Sequence, residues 1–405
     1  MIPNPEERKR LRAEAAKRQA QAAKERRKLL VRAAAAVLAV VLCIVLIASF
    51  SGGKKRANAK QEEKPGETRI HLVAGGDLNV MDEVIASGGS GYDYTDAFMD
   101  VAPILSSGDL TVLNYEGTVC GEPYGGEGAS APESMLHALK GAGVDALQLA
   151  NSFSIRQGIS GLHSTVSSVR GAGLTTIGVV TETTDRSYVI YDVKGIRVAV
   201  VAFTKGMEGD RIPEAGAGSV NLLYTDYDSN YQEVDVKGIT QVLNEVAQEE
   251  PDITIAFLHW GSKSNDKISK TQKEIVGIMQ ENGVDAIIGS HSHRVQQMEL
   301  DENGNFVAYS LGDFFGDGDE DGARYSVLLD LEIVKNNETG QTRIEGFTYT
   351  PIYTVAQEGE PARVVRIDTA IQAYEKGYID RISPETYEAM VYARSRIESR
   401  ISGQG

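Results

Sequence analysis

The sequence predicts an α/β domain whose helices cover the faces of β-sheet, preceded by one membrane-spanning helix. Three observations carry this. Between residues 69 and 357, short apolar runs of strand type alternate with longer segments of helical period. Several of those runs end in Asp, Glu or His, as strands do when their tips line a site. Residues 33–50 form one unbroken run of apolar and small residues.

Bulk properties limit the classes open to the chain. Its 405 residues, 41% of them hydrophobic, suffice for a sizeable core. Residues 1–60 hold 15 Lys/Arg against 4 Asp/Glu, so a chain of net charge -16 carries -27 on its remaining 345 residues. Such an acidic body argues against nucleic-acid binding, which needs a basic face. It also repels a polyanion unless a metal or a local basic patch intervenes. The two cysteines, Cys43 and Cys120, form no CxxC motif, and they cannot pair if Cys43 lies in a bilayer.

Residues 1–32 read as a basic cytoplasmic segment. They contain eleven Lys/Arg, which the positive-inside rule places in the cytosol. Residues 33–50 read as an uncleaved signal anchor, since eighteen helical residues span roughly 27 Å against a hydrocarbon core of about 30 Å. A cleaved signal peptide is the rival reading, but its charged region would be unusually long. Residues 51–68 are polar and read as a linker. The expected location is therefore the cell membrane, single-pass, with the carboxy-terminal domain extracellular.

The body opens at Arg69. IHLVAGGD is a predicted buried strand ending in a Gly-rich loop. YTDAFMDVAPILSSG is a predicted helix with Phe98, Val101, Ile104 and Leu105 on one face. TVLNYEG is a strand, ESMLHALKGAGV a helix closed by glycine, and DALQLAN a strand. ISGLHSTVSSVRGAGL is a helix and TTIGVV a strand. SYVIYDVKGIRVAVVAFT predicts a hairpin turned at Lys194-Gly195. VDVKGITQVLNEVAQEEPD is a helix, ITIAFLHW a buried strand, SKTQKEIVGIMQENGV a helix, and DAIIGSHSH a strand with a polar tip. FVAYSLGDFF and YSVLLDLEIV complete the strands. Residues 358–405 are expected as a helical extension, with Ser383-Pro384-Glu385 as a helix start that docks on the body.

Asp77, Glu116, His259, His291 and His293 lie at the ends of strand-type runs. Singly each is weak: Asp at a strand end is common in turns, and His259 alone reads as a core residue or a ligand. His291 and His293 flank Ser292, and in extended backbone residues two apart point the same way. Together the five suggest a metal site with nitrogen and oxygen donors, suited to manganese, zinc or iron.

These motifs resemble the CapA family, poly-γ-glutamate capsule biosynthesis proteins with a metallophosphatase-like fold. GGD matches the family's GD, and NYE its NLE. LAN followed by GISGL matches part of LANNHxxDxGxxGL. HWG, GSHSH and YSLGD match HWG, GHHPH and YSLGN. The resemblance covers residues 69–357 and implies a four-layer α/β/β/α sandwich. It implies the five residues as ligands of one or two divalent ions. Glu116 would bridge, His293 would serve one ion, and His259 and His291 the other.

The chain also departs from the family pattern. Ser152 and Phe153 stand where the family has Asn and His. Arg156 replaces an acidic residue, Lys263 a Glu, and Asp313 an Asn. Phenylalanine cannot do acid–base chemistry. Asn79, Asn151 or Ser152 could serve as a further ligand. Arg156 and Lys263 could bind an anionic group without cleaving it.

Three functions stay open at this point. The first is an accessory of capsule or anionic-polymer biosynthesis or export with a weakened hydrolase site, partnered by the bilayer, the polymer and a capsule synthase or export complex. The second is an active metal-dependent hydrolase of an amide or phosphoester. The third is a non-catalytic binding module of the cell envelope.

Overall fold

The computed structural model describes residues 66–318, 322–357, 360–378 and 382–403. The expected cytoplasmic segment 1–32, the apolar run 33–50 and most of the linker lie outside them. Among the described residues no helix is long and apolar enough to cross a membrane.

Two sheets carry the fold. The first has strands β1 (Glu67–Asn79), β2 (Leu110–Glu116), β3 (Ala146–Gln148) and β4 (Thr175–Ile177). The second has β5 (Tyr188–Val193), β6 (Ile196–Thr204), β7 (Ile253–His259), β8 (Ala286–Ser290), β9 (Met298–Leu300) and β10 (Phe306–Ala308). The chain then returns to the first sheet with β11 (Tyr325–Asn336), β12 (Thr342–Gln357) and β13 (Glu360–Arg366). The sheet orders are β13-β12-β11-β1-β2-β3-β4 and β5-β6-β7-β8-β10-β9. Strands β1 to β4 are parallel, as are β6, β7, β8 and β10. Parallel order puts the carboxy-terminal ends of β1 and β2 together, and likewise those of β7 and β8.

Side-chain alternation builds the layers. On β6, Val198, Val200 and Ala202 join the core cluster shared with β1 and β2, which also takes in Leu136 and Leu139 of helix Glu133–Ala142 and Leu162 and Val166 of helix Gly158–Gly171. The alternate residues Ala199, Val201 and Phe203 pack with Ile239 and Leu243 of helix Val236–Ala247 and Ile275 and Met279 of helix Lys270–Glu281. The order of layers is helices, sheet, sheet, helices. Each aliphatic side chain so buried contributes about 1.5–3 kcal/mol.

Several elements differ from the sequence reading. The helix expected across 94–108 is two short ones, Thr95–Phe98 and Ala102–Leu105, because Pro103 has no N–H to continue the ladder. Strand β1 begins at Glu67, two residues inside the expected linker. The extension expected as helical from 358 opens with β13, paired to β12, so the sheet runs on to Arg366. Its helices follow at Ile367–Glu375 and Pro384–Ile401, and Ile371, Met390 and Ile397 dock into the main core. Ser383 caps the second of these by accepting from Thr386 N at 3.1 Å.

The join between the sheets is tight at Gly76. A Cβ there would lie 1.8 Å from the carbonyl oxygen of Gly312, while Asp77 N donates to that same oxygen at 2.9 Å. Gly76→Ala is expected to destabilise the domain by about 3 kcal/mol through overpacking. Urea unfolding would read this as a lowered midpoint, and an unchanged midpoint would refute the tight approach.

Candidate metal centre

The tips of β1, β2, β7 and β8 bring the five sequence-predicted residues together. Two groups of donor atoms result: Glu116, His259 and His291, and Asp77, Glu116 and His293. Within each group the donor atoms lie within 4.8 Å of one another. Glu116 belongs to both. It is 1% exposed, and neither of its carboxylate oxygens has a hydrogen-bond partner, although His259 Nε2 lies 3.4 Å from Oε1. A buried carboxylate with no donor is costly, and a cation is the usual remedy. The residues present therefore fit a divalent metal. Imidazole and carboxylate donors suit manganese, zinc and iron without choosing among them. When bound, such ions supply Lewis acidity toward a phosphoryl or carbonyl oxygen.

The surrounding bonds hold each group in place. Asn114, two residues before Glu116 on β2 and so on the same face, donates to Asp77 at 2.5 Å and lies 3.4 Å from His259 Nδ1. Ser290 Oγ is 3.0 Å from that same Nδ1. His259 and His291 meet at 3.0 Å between Nε2 and Nδ1, with ring centroids 4.6 Å apart.

His291 and His293 do converge on the site, but not through extended backbone. Strand β8 ends at Ser290, and the two histidines have φ of 86° and 54°. These left-handed values are rare for histidine and cost free energy. The bond from His291 N to Asp77 Oδ2, at 3.0 Å, helps to hold the bend.

Charge follows from burial. Burial and the neighbouring Glu116 raise Asp77 above the usual carboxylate range. Burial also pushes Glu116 up, but His259, His293 and Lys263 outweigh it and hold Glu116 low. His291 is pushed well down by burial and by His259, which keeps it neutral as a ligand must be. Burial opposes charge on His293, yet Asp313, 2.8 Å from its Nδ1, together with Glu116 and Asp77 raises it to about 10.

The other sequence-predicted residues divide. Ser152 Oγ sits 2.9 Å from His259 Nε2 and 3.5 Å from His291 Nδ1, within reach of the first group. Asn79 lines a cavity of about 340 Å³ over the second group, with Phe153 and Asp313. Asn151 is held by its own bonds: its amide donates to Asn114 Oδ1 and Tyr115 O, and its oxygen accepts from Phe153 N. Arg156 and Lys263 are not free cations either. Arg156 pairs with Glu208 and Asp210 at 3.5 and 3.4 Å, and Lys263 pairs with Glu208. Arg156 also lies 5.0 Å over the Phe153 ring.

Sequence reasoning missed Asn114, Lys205, Glu208, Asp210 and Ser290, and treated Asp313 only as a departure. Asn114 was legible as the neighbour of Glu116 in NYE. Glu208 and Asp210 stand in the loop after β6, where no pattern marks them.

Comparison with known proteins agrees with the motifs. The family profile described as bacterial capsule synthesis protein PGA_cap matches residues 71–317. The capsule biosynthesis protein CapA of Bacillus anthracis is 27% identical over 257 residues, covering 61% of this chain and 59% of that protein. The PGA biosynthesis protein CapA of Bacillus subtilis (strain 168) is 24% identical over 266 residues, covering 63% and 64%. The chain thus spans less than two thirds of the length of these relatives. Among solved structures, a calcineurin-like phosphoesterase, YfkN, from Bacillus subtilis aligns with TM-score 0.45 and 15% identity over 81% of this chain and 99% of that one. A phosphatase from Mycoplasma pneumoniae aligns with TM-score 0.45 and 12% identity over 71% and 94%.

A metal ion entering the second group must displace the His293 proton. Because the raised His293 value keeps the ring protonated at neutral pH, affinity there should fall as pH falls below about 10. Calorimetric titration of manganese at pH 7.5, in buffers of different ionisation heat, should show about one proton released per ion at this group. Asp313→Asn should reduce that release by returning His293 toward its ordinary value. Binding with no proton release in the wild type would sink this account.

Proposed function

The chain belongs to the bacterial capsule synthesis protein family PGA_cap, and from that premise we propose that it serves capsule or poly-γ-glutamate biosynthesis or export through a divalent-metal centre with weakened hydrolase activity. The carrying observation is the pair of donor groups sharing Glu116, walled by Phe153. The donors for metal are retained, while a side chain that cannot donate a proton stands at the cavity. The names of the relatives support the capsule role. In this reading residues 33–50 anchor the chain in the cell membrane and the domain faces outward. Its partners are the bilayer, the anionic polymer and a capsule synthase or export complex, and not nucleic acid. The acidic body and the basic segment before the apolar run support that arrangement.

One observation favours a second reading, an active metal-dependent hydrolase of an amide or phosphoester. Two donor groups sharing one carboxylate suit two-ion chemistry, and Ser152 still reaches the histidines.

A single comparison separates the two. With metal occupancy matched by elemental mass spectrometry, the pair Ser152→Asn and Phe153→His should raise hydrolysis of a phosphodiester or γ-glutamyl anilide probe by about 10²-fold, the lower range for a restored acid or base. Equal rates at full occupancy would refute the weakened-site reading.

Topology has its own test. Protease added to intact cells freed of their outer wall should remove the domain and leave a tagged amino terminus protected. Protection of the domain would overturn the outward orientation.

A further inference from the structure

Lys205 is a charge the metal centre does not account for. It follows β6 directly and is half-buried. Its Nζ donates to Gly261 O at 2.7 Å and lies 4.2 Å from the centroid of the Tyr231 ring. Among the described residues no carboxylate lies within ion-pair distance of it; Glu208, the acid whose charge reaches it, is paired with Lys263 and Arg156. An ammonium has three donors, and a carbonyl and a ring face offset only part of its desolvation.

The loop is shaped to keep it there. Gly206 has φ of 156°, and a Cβ on it would lie 2.2 Å from Tyr227 O and 2.8 Å from the Tyr231 ring, so a larger residue would push that ring away. Tyr231, itself at φ 54°, is braced edge-on by Tyr224 at 6.0 Å. Lys205 lines a cavity of about 340 Å³ with Ser152, Ser262, His291, Glu208 and Lys263, so two ammonium groups there face one carboxylate. The ammonium therefore shares a cavity with His291 of the Glu116–His259–His291 group.

We propose that this cavity is an oxyanion subsite in which Lys205, backed by Tyr231, recognises a carboxylate or phosphate group of the substrate beside the metal centre. The proposal deepens the anionic-polymer reading and rests on it. A ligand oxygen would supply the missing counter-charge in a charge-assisted hydrogen bond. It also explains how so acidic a body admits a polyanion: with two lysines to one carboxylate, this cavity keeps an excess of positive charge.

The test is equilibrium binding to the full chain with manganese supplied, using a γ-linked glutamate oligomer and inorganic phosphate as separate probes. Lys205→Met should weaken at least one probe by about tenfold or more. Lys194→Met, a hairpin lysine paired with Asp109, serves as the remote control and should leave binding unchanged. Lys205→Arg keeps the charge, should retain most of the binding, and shows that the site tolerates substitution. Loss confined to the oligomer identifies a carboxylate subsite. Loss confined to phosphate keeps the subsite but removes the polymer reading. Wild-type affinity for both probes in a folded Lys205→Met protein overturns the proposal, as does a wild type that binds neither probe.

Discussion

Two buried carboxylates at the ends of adjacent parallel strands are the constraint around which the rest is arranged. Asp77 and Glu116 sit on β1 and β2, offset by two residues in register, with carboxylate oxygens within 4.8 Å and almost wholly out of water. Like charges so placed repel and are poorly solvated. The fold meets this with donors from four directions. Asn114 and the backbone of His291 serve Asp77, while His259 and His293 set the charge around Glu116. The two oxygens of Glu116 still lack hydrogen-bond donors. That deficit, more than the presence of histidines, is what makes a cation the natural occupant.

The sandwich explains why the histidines can reach those carboxylates. Parallel order sends the ends of β1 and β2 and the ends of β7 and β8 to their loops, and the two sheets bury their facing sides in one core. Gly76 lets the loop after β10 approach β1, so Asp313 arrives beside His293. Asp313 replaces the Asn expected from the family pattern and changes the proton inventory of the site. An Asn could hold the ring but could not hold it charged.

The departures from the family pattern do not all have the same weight. Ser152 still sits between His259 and His291, so that exchange shortens a side chain without leaving a gap in the hydrogen bonding. Phe153 offers no polar atom to the cavity it lines. Arg156 and Lys263 look like an anion-binding pair in the sequence, yet both are neutralised by a loop with no motif of its own. Lys205, unremarkable in the sequence, forms no ion pair among the described residues and donates to Gly261 O instead.

The sequence by itself determined the alternation of strands and helices and singled out the donors, while the four layers came only from the family resemblance. Hydrophobic period and turn chemistry are local, so the hairpin at Lys194-Gly195, the buried β7 and the capped helix at Ser383 could be read directly. Motif order then marked Asp77, Glu116, His259, His291 and His293. Strands β9, β12 and β13 were missed because pairing with β10, β11 and β12, rather than a local period, decides them. Which charges are spent and which are free was settled by tertiary structure alone. Ion pairing depends on distances between segments far apart in the chain, such as Arg156 with Asp210 or Lys263 with Glu208, and no periodicity encodes those distances.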